Sequence, residues 1–321
     1  MVPAQITRRT FVFGTAALSS LALSGTAVAE NGARVVGETQ INPRMLDITI
    51  SSPALETNAP VRLLVPTGWT PGTTRVWPVL YLLHGAGDDY TSWTRSTDVA
   101  ALTAQRNMLV VMPSGGRDGF YSDWRNHGAG GAPRWASFHL TEVVQILERG
   151  YGAGTSRAIA GLSMGGFGAM SYAARRPGMF RAAASYSGLL HTRQSARSIS
   201  LIQGVLLKDG YDPYALWGDA ALNADVWAAH NPYDLADKLL GIPLYVSCGN
   251  GQPGALDPSG ALPDFAVEPV CLDQSVAFVH RIQQLGGTVT PHFYGAGLHS
   301  WPWWQRELHT SFPMLTRAIG A

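Results

Sequence analysis

Short apolar runs alternate with helix-length amphipathic stretches over most of the chain. From about Met45 the runs MLDITI, VRLLVP and WPVLYLL are bounded by Pro, Gly and Thr, which is typical of β-strands. Further strand-like runs, MLVVMP, RAIAG, RAAASYSG and PLYVSCG, alternate with helical patterns such as FHLTEVVQILERGYG and SVAFVHRIQQLGG, and a last helix is expected to begin near Trp301. The pattern predicts an α/β fold: a mostly parallel central sheet with helices on both faces, preceded by antiparallel strands.

The first 29 residues follow a different pattern. Paired arginines and a phenylalanine precede the apolar stretch FVFGTAALSSLALSG, and the segment ends in the triplet AVA, which is typical of a twin-arginine export signal. We therefore expect residues 1–29 to be a signal peptide and residues 30–321 to form a single α/β domain that is secreted or held in the cell envelope. A membrane anchor is the alternative, but the apolar run is short and broken by Gly and Ser.

Composition narrows the classes of partner. The chain has 321 residues, with 23 Lys and Arg against 22 Asp and Glu. Removal of the signal takes away two arginines and no acid, which leaves 21 basic residues and a net charge of −1. No basic stripe remains, so we expect no nucleic-acid partner and no stable membrane insertion. Only Cys248 and Cys271 are present, which excludes a disulfide framework and a cysteine-rich metal site but leaves open one disulfide or two buried thiols.

A serine stands between a predicted strand and a predicted helix in the segment GLSMG. Gly161, Ser163 and Gly165 fit the G-x-S-x-G turn, in which a strand bends sharply into a helix and presents the serine at its tip. Small neighbours are needed because a Cβ at the flanks would clash in so tight a turn. A five-residue match also arises by chance at a Gly-rich helix start, but the strand before it and the helix after it favour a nucleophile.

An oxyanion hole for this nucleophile needs two backbone donors. The run YLLHGAG places a turn after an earlier strand, and the free amides at the N-terminus of the helix after the serine supply the other side. We assign the donors to the backbone N–H groups of Ala86 and Met164.

The order serine, acid, histidine along the chain selects the remaining catalytic groups. His299 is the one histidine that lies in a loop beyond the last predicted strand, so it is the expected base. The acid is open at this point. No carboxylate follows the strand PLYVSCG directly, and the candidates further along the chain are Asp257, Asp264, Glu268 and Asp273.

The stretches LLHGAGDDY, VVMPSGGRDGFYSDW, GLSMGG, LYVSCGNGQP and GLHSWPWW resemble, in the same order, the antigen-85 mycolyltransferases of the esterase D branch of α/β hydrolases. The resemblance runs from about Leu82 to Trp304. That family places its acid ten residues before a phenylalanine, which here selects Glu268 before Phe278. It also implies that Cys248 is a core thiol near the acid loop.

Two departures bear on the substrate. Antigen-85 proteins carry an aspartate at the position of His84 and an arginine in the loop that follows, and both grip a sugar acceptor. His84 and Trp301, which matches the tryptophan beside the family's histidine, are the candidate substrate-binding residues. The alternatives are a turn histidine bonded to backbone and a core tryptophan.

The sequence therefore predicts an exported serine hydrolase that cleaves small-molecule, lipid or sugar esters through an acyl-enzyme, with the triad Ser163, Glu268 and His299. No metal or cofactor is expected. The alternatives are transfer of the acyl group to a sugar or glycerol hydroxyl, favoured by the resemblance of SLIQGVLLKDGYDPYALWG to the family's acyl-pocket region, action on a thioester or peptide, and a non-catalytic cell-wall binding protein.

Overall fold

The computed structural model describes residues 27–321. The predicted signal peptide lies almost entirely outside these residues. Within the described part of the chain, no helix is both long and apolar enough to span a bilayer.

Nine strands form one sheet in the spatial order β1-β2-β3-β5-β4-β6-β7-β8-β9. The strands β1, β2, β3 and β5 pair antiparallel, whereas β5, β4, β6, β7, β8 and β9 pair parallel. The predicted α/β fold with a mostly parallel sheet is thereby confirmed. The strands are β1 (Arg34–Asn42), β2 (Met45–Ser52), β3 (Thr57–Leu64), β4 (Trp77–Leu83), β5 (Leu109–Pro113), β6 (Ala153–Leu162), β7 (Ala182–Tyr186), β8 (Leu244–Cys248) and β9 (Val289–Phe293).

Helices connect the parallel strands and cover both faces of the sheet. The helices are α1 (Ser92–Ser96), α2 (Val99–Leu102), α3 (Trp135–Ser137), α4 (Val144–Gly150), α5 (Met164–Arg175), α6 (Ala196–Lys208), α7 (Ala224–His230), α8 (Glu268–Gln284) and α9 (Trp301–Ile319). A π-helical stretch, Phe138–Val143, joins α3 to α4, and Asn126–Gly128 and Ala236–Leu239 are short 3₁₀ turns. The long helix expected over FHLTEVVQILERGYG is thus one continuous helical segment with a wider turn inside it.

Alternate residues of the central strands feed two separate cores. Along β4, Val79, Tyr81 and Leu83 belong to the core that also contains residues of α4, α5 and α8, whereas Leu80 and Leu82 belong to the core on the opposite face, which contains residues of α1 and α9. This two-fold alternation of buried side chains is the reason the central strands are apolar throughout.

Strand β1 was not expected from the sequence. Its residues are largely polar and partly exposed, and it pairs only with β2 at the edge of the sheet. An edge strand of this kind buries one side at most, so its hydrophobic signal is weak.

The parallel strands place their connecting loops along one edge of the sheet. The segments after β4, β5, β6, β8 and β9 all leave at the carboxyl ends of these strands, where open α/β sheets bind their ligands. The predicted site residues lie in these segments.

Candidate active site

Ser163 occupies the sharp turn between β6 and α5. Its backbone has φ 51° and ψ −121°, a conformation that residues other than glycine rarely adopt. Its amide donates to the carbonyl of Tyr186 on the neighbouring strand at 2.9 Å, which holds the turn against the sheet. The serine is partly exposed, whereas the first turns of α5 behind it are fully buried. The turn therefore points one hydroxyl group away from the core.

Two positions of this turn, Gly161 and Gly165, have no room for a Cβ atom. A Cβ added to Gly161 would lie 2.2 Å from the carbonyl oxygen of Gly165, and one added to Gly165 would lie 2.3 Å from the carbonyl oxygen of Leu83. Both contacts are with backbone, which cannot move aside without displacing β4 or α5. The close approach of helix and strand explains the spacing G-x-S-x-G.

Gly165→Ala is expected to destabilise the fold by about 3 kcal/mol or more, because the new methyl group forces α5 away from β4. Calorimetry should then show a Tm lower by about 6 °C or more. Gly204→Ala is the matched control, since Gly204 lies in α6 with nothing within 4 Å of an added Cβ, and alanine is there expected to leave the Tm unchanged or raise it slightly. Equal Tm values for the two variants would contradict the packing account.

The loop after β4 packs directly against this turn. A Cβ added to Gly85 would lie 3.4 Å from the Cβ of Ser163. Ala86 and Met164, the predicted oxyanion donors, line a cavity together with Ser163. Among residues 27–321 neither backbone amide has a hydrogen-bond acceptor, so both remain available to a ligand.

His84 supports this loop from behind. Its ring is buried, Nδ1 contacts the carbonyl oxygen of Gly85 at 2.8 Å, and Nε2 accepts from the amide of Gly115 at 2.8 Å. Burial lowers the pKa of His84, which favours the neutral ring that accepts at Nε2. The ring lines neither cavity at Ser163. His84 is thus a turn histidine bonded to backbone. It lies outside the lining of both cavities, although it was a candidate substrate-binding residue.

His299 and Glu268 form a hydrogen-bonded pair. His299 follows β9 and Glu268 opens α8, and Nδ1 of the imidazole lies 2.6 Å from Oε2 of the carboxylate. The carboxylate is fully buried, whereas 19% of the His299 side chain is exposed. No hydrogen bond joins His299 to Ser163 among the described residues, but both side chains line the same two cavities. Hydrogen bonds between catalytic groups often have long distances in enzymes without bound substrate, and they shorten when substrate binds.

A full set of donors surrounds the buried Glu268 carboxylate. Oε1 accepts from the Ser187 hydroxyl at 2.8 Å and the Gly249 amide at 2.7 Å, with the Cys248 thiol at 3.3 Å. Burial alone would raise the pKa of Glu268, but the hydrogen bond and charge of His299, with the Gly249 and Ser187 donors, hold that pKa below its usual value. The carboxylate therefore stays ionised where an unsupported buried acid would be neutral.

The other candidate acids hold the surrounding loops. Asp257 accepts from the Trp303 indole at 2.9 Å and the Ser300 hydroxyl at 3.2 Å, which fastens the segment around His299. Asp264 accepts from the amide of Glu268 at 2.8 Å and so caps the start of α8. Neither contacts His299 in the way that Glu268 does. Both cysteines are buried free thiols, and Cys248 lies beside the acid.

Two cavities meet at Ser163 and His299. The leucine cavity, of about 300 Å³, has an apolar wall formed by Phe120, Leu189, Leu201, Val205 and Val267. The tryptophan cavity, of about 340 Å³, is also lined by Ser163 and His299, together with Asp88, Leu162, Ser300, Trp301 and Trp304. Trp301, a predicted substrate-binding residue, lines this cavity, and its ring packs edge-on against those of Trp93 and Trp304 with 5.3 Å between centroids in each pair.

Sequence comparison gives this arrangement a family. A model of the putative esterase family matches residues 52–315. The diacylglycerol acyltransferase/mycolyltransferase Ag85B of Mycobacterium intracellulare is 34% identical over 256 residues, which is 76% of each chain. The chain belongs to the putative esterase family. This esterase is an enzyme that acts on esters by hydrolysis or acyl transfer, and its resemblance to the antigen-85 mycolyltransferases is confirmed.

Solved structures show the same fold at lower identity. MPT51 of Mycobacterium tuberculosis superposes on the esterase with a TM-score of 0.67 at 24% identity, over 84% of this chain and 96% of MPT51. An S-formylglutathione hydrolase from Agrobacterium tumefaciens reaches a TM-score of 0.66 at 16% identity, over 89% and 99% of the two chains.

Ser187 and Trp304 of the esterase have site contacts that the sequence did not reveal. The Ser187 hydroxyl donates to Glu268 and accepts from the Trp304 indole at 3.2 Å, and its backbone has φ 48°. The Trp304 ring also packs edge-on against the His299 imidazole, with 4.9 Å between centroids. The Ser187 contacts join residues 81 and 117 positions apart, so no local motif marks them in the sequence.

Proposed function

We propose that this esterase is an exported serine hydrolase that cleaves carboxylic esters through an acyl-enzyme on Ser163. The observation that carries the proposal is the 2.6 Å contact between Nδ1 of His299 and the buried Glu268 carboxylate, beside the cavities that both His299 and Ser163 line. A base held at Nδ1 by a carboxylate keeps Nε2 free to accept a proton. The export signal predicted for residues 1–29 supplies the location.

In the first half of the reaction, Nε2 of His299 takes the Ser163 proton as the hydroxyl oxygen attacks the ester carbonyl carbon. The carbonyl oxygen gains negative charge and accepts from the Ala86 and Met164 amides. Loss of one such donor costs about 3 kcal/mol of transition-state stabilisation. The Glu268 carboxylate stabilises the imidazolium. His299 then donates the proton to the departing alcohol as the bond between the carbonyl carbon and the alkoxy oxygen breaks.

In the second half, water enters the place vacated by the alcohol. His299 takes a proton from this water as its oxygen attacks the acyl carbon, the bond to Ser163 breaks, and the proton returns to the serine oxygen. The free acid leaves and the enzyme is restored.

The test of the nucleophile is covalent labelling. A fluorophosphonate probe is expected to label the purified protein stoichiometrically, with the modified peptide containing Ser163, while Ser163→Ala remains unlabelled and inactive on p-nitrophenyl acetate. Ser195→Ala is the matched control, since Ser195 caps α6 away from the cavities, and it is expected to be labelled like the wild type. Labelling of Ser163→Ala at the wild-type rate would disprove the proposal.

Acyl transfer to an alcohol is the second candidate function, because the curated relative at 34% identity is named a diacylglycerol acyltransferase/mycolyltransferase. The sugar-gripping acid of antigen-85 proteins is replaced here by His84, whose ring is buried behind the loop, and this favours water as acceptor. Mass spectrometry of products formed with trehalose or glycerol present separates the two. Free acid is expected to dominate, and a majority of acylated trehalose or glycerol would assign the transferase function instead.

A further inference from the structure

A buried carboxyl group to which no N–H group of the described residues donates lines the leucine cavity. Asp118 follows β5, is 1% exposed, and lines the same cavity as Ser163 and His299. Among residues 27–321 no N–H or neutral O–H group donates to either of its oxygens, and its one side-chain partner is the neighbouring carboxyl of Asp209, with which it can share a proton. A buried polar group left unsatisfied is costly, so such groups in folded proteins call for a specific explanation. The catalytic steps above make no use of this one.

The charges around Asp118 come from three neighbouring side chains. Arg117 pairs with Asp209 at 2.7 Å, and Asp209 and Lys208, at the end of α6, line the cavity with Asp118. Burial and the adjacent Asp209 carboxyl raise the pKa of Asp118 to about 7. Asp118 therefore holds a proton more readily than an exposed aspartate, and a protonated carboxyl both donates and accepts hydrogen bonds.

The two cavities differ in the part of an ester that each can hold. The leucine cavity offers hydrocarbon side chains from α6 and the loop after β7, with Asp118 as a polar group on its wall. The tryptophan cavity, with Asp88, Ser300 and Trp301, offers polar and aromatic groups for the alcohol. The acyl group thus belongs in the leucine cavity, whose volume of about 300 Å³ is at the lower end for small-molecule sites.

We propose that Asp118 is a specificity-determining residue that takes a hydroxyl group carried by the acyl part of the ester. The inference rests on the proposed function for the identity of the bound ester. A hydroxyl group can donate to the Asp118 oxygen that does not engage Asp209, and an unsubstituted hydrocarbon chain would leave that buried oxygen without a donor. An ammonium group is disfavoured, because Arg117 and Lys208 supply two positive charges against the one negative charge of Asp209 when Asp118 is protonated.

The test compares matched esters on matched variants. Wild type, Asp118→Leu and Asp118→Asn are assayed on ethyl phenylpropanoate and its para-hydroxy derivative, and on ethyl hexanoate and its omega-hydroxy and omega-amino derivatives. Asp225→Leu is the control, since Asp225 is an exposed residue of α7 outside both cavities. Wild type and control are expected to prefer at least one hydroxylated ester over its parent by about tenfold or more in kcat/KM. Asp118→Leu is expected to abolish this preference, and Asp118→Asn to keep part of it.

A binding measurement makes the inference independent of turnover. In the Ser163→Ala background, calorimetric titration with the same esters is expected to show about tenfold tighter binding of a hydroxylated ester, and loss of that difference when Asp118→Leu is added. Equal Kd values for hydroxylated and parent esters, or tighter binding of the amino derivative, would overturn the role of Asp118.

The two proposals fail in different ways. Absence of both ester turnover and fluorophosphonate labelling defeats the hydrolase proposal, and the titration then decides the Asp118 inference alone. Turnover and labelling with no preference for a hydroxyl group leave the hydrolase standing and refute Asp118 as its selectivity determinant. If Asp118→Leu loses its native circular dichroism spectrum, Asp118→Asn carries the comparison. A preference of Asp118→Asn for the hydroxylated ester over its parent that equals the wild-type preference then counts against the inference.

Discussion

His299→Ala is expected to lower kcat on a short p-nitrophenyl ester by about 10⁴- to 10⁶-fold with a much smaller change in KM. The imidazole is proposed to move a proton in both halves of the reaction, so its loss leaves the Ser163 hydroxyl as a weak nucleophile and the alcohol without an acid. The cavities and the proposed oxyanion donors remain, which is why binding is expected to persist. Steady-state assays over a range of substrate concentration measure kcat and KM separately.

His309→Ala is the matched control for this substitution. His309 is exposed on α9 and contacts Asp98 at 2.8 Å, away from the cavities. It is expected to keep wild-type kcat within about twofold, as is usual for a surface substitution. A His299→Ala enzyme within tenfold of the wild type would show that another group serves as the base.

Glu268→Gln is expected to lower kcat by about 10³- to 10⁴-fold while the protein stays folded. The amide keeps the shape of the carboxylate but not its charge, so the imidazolium is no longer stabilised and the ring tautomer is no longer fixed. One of the donors that now serve the carboxylate, from Ser187, Gly249 or His299, would also face the amide NH₂ group. Kinetics on the short ester test this effect.

The same substitution has a predicted pH signature in stability. Because the pKa of Glu268 in the fold lies below that of an unfolded glutamate, its charge stabilises the fold at pH above about 4.3, and this contribution is lost as the pH falls through the folded-state pKa. The Tm difference between wild type and Glu268→Gln should therefore be largest near neutral pH and shrink in acid. A constant difference would contradict the ionised state.

Two further variants serve as controls for the loss of kcat predicted for Glu268→Gln. Glu56→Gln changes an exposed glutamate and should leave kcat within about twofold. Asp257→Asn weakens the hydrogen bonds that hold Trp303 and Ser300, so a loss smaller than that of Glu268→Gln is expected. A greater loss for Asp257→Asn would reassign the orienting acid.

The sequence predicted the parallel part of the sheet well because those strands are buried on both faces. Every residue of β5, β7 and β8 is buried, which appears as uninterrupted apolar runs. The edge strand β1 left no such signal, and the short helices α1 and α2 bury few residues each. Hydrophobic periodicity reports burial, so elements that bury little escape it.

The candidate site was predictable to the extent that its groups are local. Ser163 is marked by its flanking glycines, which the backbone contacts at Gly161 and Gly165 explain, and His299 by its place after β9. Reasoning from the residues alone left the acid open among several carboxylates, and only resemblance to the antigen-85 proteins favoured Glu268. Ser187, Trp304 and Asp118 gave no usable signal, because their importance arises from neighbours that the sheet brings together from distant segments.

The leucine and tryptophan cavities have Ala86, Ser163 and His299 in common but otherwise different walls, and this has an evolutionary consequence. Each half of the ester contacts a wall built from a different element. Helix α6 and its C-terminal end contribute to the leucine cavity, and the start of α9 contributes to the tryptophan cavity. Mutations on either wall can then accumulate without disturbing the reacting atoms between them. A lineage that retains Ser163 and His299 can thus change its specificity for the acyl group and for the alcohol independently. It can also change between ester hydrolysis and ester synthesis.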